Sequence, residues 1–253
     1  MNSLRTFLLL HVLTCVGQTV NGSDIIHGEK APKNSMPYMV SVQNHHGHMC
    51  GGFLITQGFV VTAAHCGENI LTHVILGTNK IMEDNYLKRG IEKSYIHPGY
   101  TSPGFGFDIM LLKLSVEVDI NERIHTIKIP ASKMNVKENQ TCSVAGWGMT
   151  QTAGSVVNEL RVVNVLIIDP ESCKEEWTAL PPNVICAGGS GTDKGFCQGD
   201  SGGPLVCNDI AVGIVSFNKN SNCNYPDVPN VYTDISEYVP WINEIVKENY
   251  YHM

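Results

Sequence analysis

The run Gly199-Asp200-Ser201-Gly202-Gly203-Pro204 decides the reading of this chain. A serine among small residues sits on a tight turn, with its hydroxyl exposed and nearby backbone N–H groups available to a developing oxyanion. Outward from it, Thr62-Ala63-Ala64-His65-Cys66 supplies a histidine. Phe107-Asp108-Ile109-Met110-Leu111-Leu112 supplies an aspartate at the head of an apolar run. His, Asp, Ser is one of the chain orders in which a nucleophile, its base and an orienting carboxylate recur. Ser201 is read as nucleophile, His65 as the base that takes its proton and later returns it, and Asp108 as the group that fixes the imidazole tautomer.

The N-terminal stretch reads as a targeting segment. Residues 1–22 read as a secretory signal: Arg5 lies in the charged region, Thr6 to Leu13 form the apolar core, and Val20 and Gly22 suit the positions before cleavage. The apolar run is too short to span a bilayer. Of nine cysteines, Cys15 lies in that signal, leaving an even eight. An even count in a secreted chain argues for disulfides in an oxidising compartment, and eight cysteines allow 105 connectivities. There is no paired C-x-x-C spacing, so metal binding by cysteine is discounted. A formal net charge of −7 disfavours nucleic acid or an anionic surface as partner.

With 253 residues, 43% of them hydrophobic, the chain can bury a sizeable core. Tyr38 to Val42, Phe59 to Thr62, Thr72 to Leu76, Arg161 to Val165, Ala211 to Ser216 and Val231 to Thr233 are short apolar or alternating runs bounded by turn signals. That is an all-β pattern. One segment has helical period: Tyr238, Trp241, Ile242, Ile245 and Val246 form a single stripe. Asp234 and Glu237 predict a capping box ahead of it.

Together, Cys50 to Ile55, Phe59 to Cys66, Ile96-His97-Pro98, Asp108 to Leu114 and the serine turn resemble the trypsin/chymotrypsin-type serine proteases, most of all the granzyme and mast-cell granule branch. The resemblance runs from Ile25 to about Val246. It implies two antiparallel β-barrels with the active site in the cleft between them, residues 129–136 bridging them, and a C-terminal helix. It implies an oxyanion hole from the N–H groups of Gly199 and Ser201, each donor being worth about 2.7–4 kcal/mol in the transition state. It implies the pairs Cys50–Cys66, Cys142–Cys207, Cys173–Cys186 and Cys197–Cys223, the last a departure from many granule proteases toward the digestive pattern.

Ile25-Ile26-His27-Gly28 matches the family's mature N-terminus, with His27 in place of the usual glycine. A freed Ile25 ammonium would pair with Asp200. Asp24 precedes Ile25, so a tryptic activator is not expected. Signal cleavage after Gly22 would leave a Ser23-Asp24 dipeptide, of the kind a dipeptidyl peptidase removes, and residues 25–253 would form the protease domain. In the substrate pocket, Gly195 stands where tryptic members carry an acid. Phe196 is expected to fill part of the slot, and Asn218 and Asn230 to reduce its depth. Gln198, Ser216 and Phe217 complete the lining, with Asp227 nearby. The expected substrate residue is small to medium and uncharged.

His45, His46 and His48 crowd the loop before Cys50; with no carboxylate at ligand spacing, they are read as solvated rather than metal-binding. Asn139-Gln140-Thr141 is a glycosylation sequon. The reading needs no cofactor and no metal. Its partners are protein or peptide substrates, serpin-type inhibitors and the activating peptidase, acting on a secreted or granule-stored monomer. Two rivals are a non-catalytic homologue that binds without cutting, opposed by the intact triad, and a digestive protease, opposed by Asp24.

Overall fold

Runs such as Arg161 to Ile168 alternate inward Val163, Val165 and Ile167 with outward Asn164 and Leu166. An alternating run buries one face only, and a small antiparallel barrel satisfies it at every strand. The computed structural model describes residues 24–250. The expected signal segment 1–22, and Ser23 of the expected dipeptide, lie outside the described residues.

A two-residue edge strand, β1 (Glu29–Lys30), precedes the first barrel. That barrel comprises β2 (Met39–Asn44), β3 (Gly47–Thr56), β4 (Phe59–Thr62), β5 (His73–Leu76), β6 (Leu87–Ile96) and β7 (Met110–Leu114), closed in the order β2-β3-β4-β7-β6-β5. The second comprises β8 (Thr141–Gly146), β9 (Arg161–Ile168), β10 (Val184–Ala187), β11 (Pro204–Cys207), β12 (Ile210–Phe217) and β13 (Asn230–Asp234). Its order is β9-β10-β13-β12-β11-β8, closed by the β8–β9 pairing, with β1 added beside β9. All strand pairs are antiparallel. The two-barrel expectation holds, and each of the six expected strand runs coincides with or overlaps a strand.

The chain crosses between barrels slightly earlier than residues 129–136. Ile127 N–H donates to Leu54 O of β3, and Lys128 O accepts from Ala211 N–H of β12, so the step falls at Ile127–Lys128. A shared cluster seals the seam: Met39 and Ile75 from the first barrel pack with Ala145, Trp147 and Leu160 from the second. The Trp147 indole N–H, which needs an acceptor when buried, donates to Asn79 O at 3.0 Å.

Two helices follow strands of the second barrel. In α1 (Pro170–Glu176), Asp169 caps the N-terminus by accepting from the Glu171 and Ser172 N–H groups. In α2 (Val239–Tyr250), the apolar stripe packs on the first barrel's core, so the chain's end straps the two barrels together. Asp234 caps a short 3₁₀ turn, Ile235–Glu237, ahead of α2. Glu237 does not complete the box; it pairs with Lys133 Nζ at 2.7 Å. Four disulfides, Cys50–Cys66, Cys142–Cys207, Cys173–Cys186 and Cys197–Cys223, staple the loops.

Ile242 is buried at the interface of α2 with the first barrel. Ile242→Ala should therefore lower the unfolding free energy by about 2–5 kcal/mol, measured by urea denaturation. A loss below about half a kcal/mol would mean that α2 does not contribute to the core.

Candidate active site

The register of β4 against β7 builds one half of the site. Thr62 lies opposite Met110, so the residues just after β4 and just before β7 emerge at the same barrel rim. His65, three residues past Thr62, meets Asp108, two before Met110. Asp108 Oδ1 accepts from the His65 backbone N–H at 3.0 Å, and Oδ2 faces His65 Nδ1 at 2.8 Å. The second barrel completes the shell. Ser216 Oγ on β12 donates to Asp108 Oδ2 at 2.5 Å, and Thr233 Oγ1 on β13 donates to Asp108 O at 3.0 Å. Burial alone would push the Asp108 carboxyl up. The hydrogen bonds and charge of His65, with the Ser216 hydroxyl, outweigh it and hold the carboxyl below the usual carboxylate range. The preceding residue, Phe107, is held at φ 56°, a strained setting for an aromatic, by stacking on His97 at 5.0 Å.

The serine turn docks on the first barrel through glycines. Gly51 N–H of β3 donates to Ser201 O at 2.8 Å, and a Cβ on Gly51 would press on Gly203 at 3.1 Å. Gly202 adopts φ 82°, and a Cβ there would overlap Thr62 Oγ1, itself bonded to Gly51 O at 2.8 Å. Within the turn, the N–H groups of Asp200, Gly202 and Gly203 are spent on Cys197 O, Val215 O and Asp200 O. Those of Gly199 and Ser201 have no acceptor among the described residues. Two unspent donors beside a serine can take up a developing negative charge.

Asp200 is fully buried, accepting from Gly148 N–H at 2.8 Å and Cys197 N–H at 2.9 Å. Burial pushes its carboxyl up to about 7 against those two donors. Gly146 and Gly148 leave room for it, since a Cβ on either would collide with the carboxylate. Ile25 is buried in the core of the same barrel, and Ile26 N–H donates to Gly195 O at 3.1 Å. His27 lies against Asp193, with Nδ1 2.7 Å from the Asp193 carbonyl oxygen.

His48 departs from the expectation of a solvated loop. It lies on β3, its ring enclosed although the residue edge reaches solvent. Its Nε2 contacts Gly199 O at 2.9 Å and its Nδ1 contacts Ser41 Oγ at 2.8 Å, with Trp147 edge-on at 5.9 Å. A carbonyl can only accept, so Nε2 carries the proton and donates to the turn that holds the two unspent N–H groups. Burial pushes its pKa down to about 4. No local sequence signal separates His48 from His45 and His46; what separates them is strand pairing.

The pocket residues divide. The Phe196 ring packs edge-on against buried Tyr232 at 5.3 Å inside the second barrel's core, so it does not fill the slot. Residues alternate sides along an extended segment, and here the neighbouring Gly195 takes the slot side. Asn230 is buried beside Gly195, and Asn218 reaches Asn222 O at 2.8 Å and the Tyr225 hydroxyl at 3.0 Å. Asp227 is engaged by the Asn222 amide at 3.1 Å. The Gln198 side chain lies against the Cys197–Cys223 sulfurs. Phe217 meets Trp177 edge-on at 5.4 Å, and the Trp177 indole is fixed by Pro229 O at 3.0 Å. Trp177, Tyr225 and the Ser216–Asp108 bond are parts of this neighbourhood that sequence reading missed: Trp177 and the Ser216–Asp108 bond join distant segments, and nothing local says that the Tyr225 ring turns toward Gly195.

Known proteins resemble this chain in sequence and in fold. A family described as Trypsin matches residues 25–242. Duodenase-1 of Bos taurus is 37% identical over 247 residues, covering 95% of this chain and 96% of the relative. Chymase of Canis lupus familiaris is 36% identical over 248 residues, covering 95% and 96%. A solved structure titled neuropsin, a serine protease expressed in the limbic system of mouse brain, superposes with a TM-score of 0.80 at 29% identity. That match covers 87% of this chain and 98% of the solved one.

His48 carries a pH signature. Its folded pKa is near 4 and its ordinary value 6.5, so between those values the unfolded chain binds a proton that the native ring refuses. Stability is present above the window and is lost as pH falls through it. Unfolding free energies measured across that window should fall less steeply for His48→Gln than for the unsubstituted chain. Parallel profiles would show that the ring is open to water.

Proposed function

We propose that this chain, which belongs to the trypsin family of serine proteases, is a secreted or granule-stored endopeptidase working through an acyl-enzyme, with non-tryptic primary specificity. One observation carries the reading. His65, Asp108 and Ser216 form a hydrogen-bonded chain across the barrel junction, beside a turn whose Gly199 and Ser201 N–H groups are unspent among the described residues.

In this reading Ser201 Oγ attacks the scissile carbonyl while His65 accepts its proton. Asp108 holds the Nδ1–H tautomer, so that Nε2 is the basic nitrogen, and stabilises the imidazolium that forms. The carbonyl oxygen, now an oxyanion, takes the Gly199 and Ser201 N–H groups. His65 then protonates the departing amine, leaving an ester on Ser201. Water, deprotonated by His65, hydrolyses that ester and restores the serine. Gly195 offers no counter-charge, so a lysine or arginine in the slot would be buried unpaired, which is strongly unfavourable.

Activation follows from Asp200. A buried carboxylate with two N–H donors has no cation among the described residues, and the Ile25 ammonium, released by removal of Ser23-Asp24, is the natural partner in the same barrel core. Asp24 directs that cleavage away from tryptic enzymes and toward a dipeptidyl peptidase. Asn139 is exposed, which supports its glycosylation in a secreted chain.

Two measurements test the reading. Ser201→Ala in the protein beginning at Ile25 should lose about 10⁶ in kcat on peptide substrates with its fold intact. Near-normal turnover would remove Ser201 from its role. Protein beginning at Ser23 should be inactive until the dipeptide is removed, and equal activity from the two forms would refute the Ile25–Asp200 pair.

A further inference from the structure

The slot beside Gly195 is filled from within the chain. A Cβ built on Gly195 would lie 2.5 Å from Tyr225 Cε2 and 2.9 Å from Cζ, and would overlap Asn230 Oδ1. The phenol ring thus occupies space that a long substrate side chain would need in order to reach residue 195. The ring is anchored. Its hydroxyl donates to Phe196 O at 2.7 Å and accepts from Asn230 Nδ2 at 2.8 Å and Asn218 Nδ2 at 3.0 Å. One donor and two acceptor sites are the full capacity of a phenol, and all three are used.

The anchors are themselves held. Asn230 Oδ1 accepts from Phe196 N–H at 3.3 Å, and Asn218 Nδ2 also donates to Asn222 O. Behind the ring lie Ile26, Met149 and the Cys197–Cys223 bridge. Burial pushes the phenol up to about 12, so its hydroxyl stays protonated and keeps its donor role. Expelling the ring would strand the buried Asn230 amide, the half-buried Asn218 amide and the Phe196 carbonyl, each costly to leave unmet.

Resting on the serine-protease reading of the cleft, we propose that Tyr225 is a specificity-determining residue: its ring, tied to Asn218 and Asn230, floors a shallow slot that limits the residue before the scissile bond to glycine, alanine or serine. The two asparagines are then not pocket walls in their own right. They are the clamps that hold the floor.

Two independent arms test this. The first needs no turnover. In Ser201→Ala protein beginning at Ile25, indole is titrated by calorimetry with and without Tyr225→Ala. Removing the ring opens a cavity of the kind that takes up small apolar molecules, so binding should tighten by about tenfold or more. Equal binding to both forms would overturn the proposal. The second arm measures kcat/KM across a peptide library. The unsubstituted enzyme should cleave after alanine about tenfold or more faster than after leucine or phenylalanine, and Tyr225→Ala should reverse that order. Cleavage after leucine or phenylalanine at least as fast as after alanine, in the unsubstituted enzyme, would overturn it without any variant. Should Tyr225→Ala not fold, Tyr225→Phe, which keeps the ring and loses its three anchors, should still shift preference toward leucine; an unchanged profile would count against the clamp. A fluorophosphonate that fails to label Ser201 would defeat the protease reading alone, leaving the indole arm to decide the slot.

Discussion

One buried carboxylate holds the two barrels to a single purpose. Asp108 rises from the rim of the first barrel and takes two hydrogen bonds from His65 on its own side. It takes a third from Ser216, and its carbonyl a fourth from Thr233, both from the second barrel. A carboxylate removed from water is costly unless its acceptor sites are filled. Here they are filled only when the barrels are docked. The glycine contacts between Gly51, Gly202 and Gly203 bring the serine turn to the same seam. Misdocking would leave Asp108 short of donors and would part the serine turn from Gly51 and Thr62, so barrel docking and assembly of the candidate site are one event.

The turn between residues 199 and 201 is gripped from two sides by groups of opposite titration behaviour. His48 holds the Gly199 carbonyl and resists protonation, its pKa being pushed down to about 4. Asp200 resists deprotonation, its carboxyl being pushed up to about 7 by burial. For Asp200 the native chain binds the extra proton between 3.8 and about 7, so this group's contribution falls as pH rises through that window. A cation that lowered the Asp200 carboxyl below its ordinary value would reverse the sign of this contribution, which would then be lost as pH falls, in the same direction as that of His48.

The parts legible in the sequence were those written in contiguous residues. The serine turn, the histidine and aspartate motifs, the strand runs and the stripe of α2 each carry their signal within about ten residues, where period and turn chemistry act. The parts that were not legible depend on which side of the backbone a residue faces, or on a partner far along the chain. Phe196 and Gly195 are adjacent, and nothing local says which enters the slot; pairing with Tyr232 decides it. His48 and His46 differ by two residues, yet the register of β3 against β2 encloses one and leaves the other in water. Glu237 stood at capping-box spacing, but a lysine more than a hundred residues earlier offered a charge, and an ion pair outcompeted a backbone N–H.

Gly195 shows how one local fact takes two meanings. As a sequence position it marks a missing counter-charge, on which the proposed non-tryptic specificity rests. In the fold, the same missing side chain is the vacancy into which the Tyr225 ring fits, since any Cβ there would overlap Asn230 and crowd the ring. An aspartate at 195 would therefore clash with the Tyr225 ring in its present place, and one of the two would have to shift. The hydroxyl requires two amide donors and one carbonyl, and Asn218, Asn230 and Phe196 O supply them. Those four residues with Gly195 form a unit in which each is explained by the others, and a change at any one of them should be read against the remaining four.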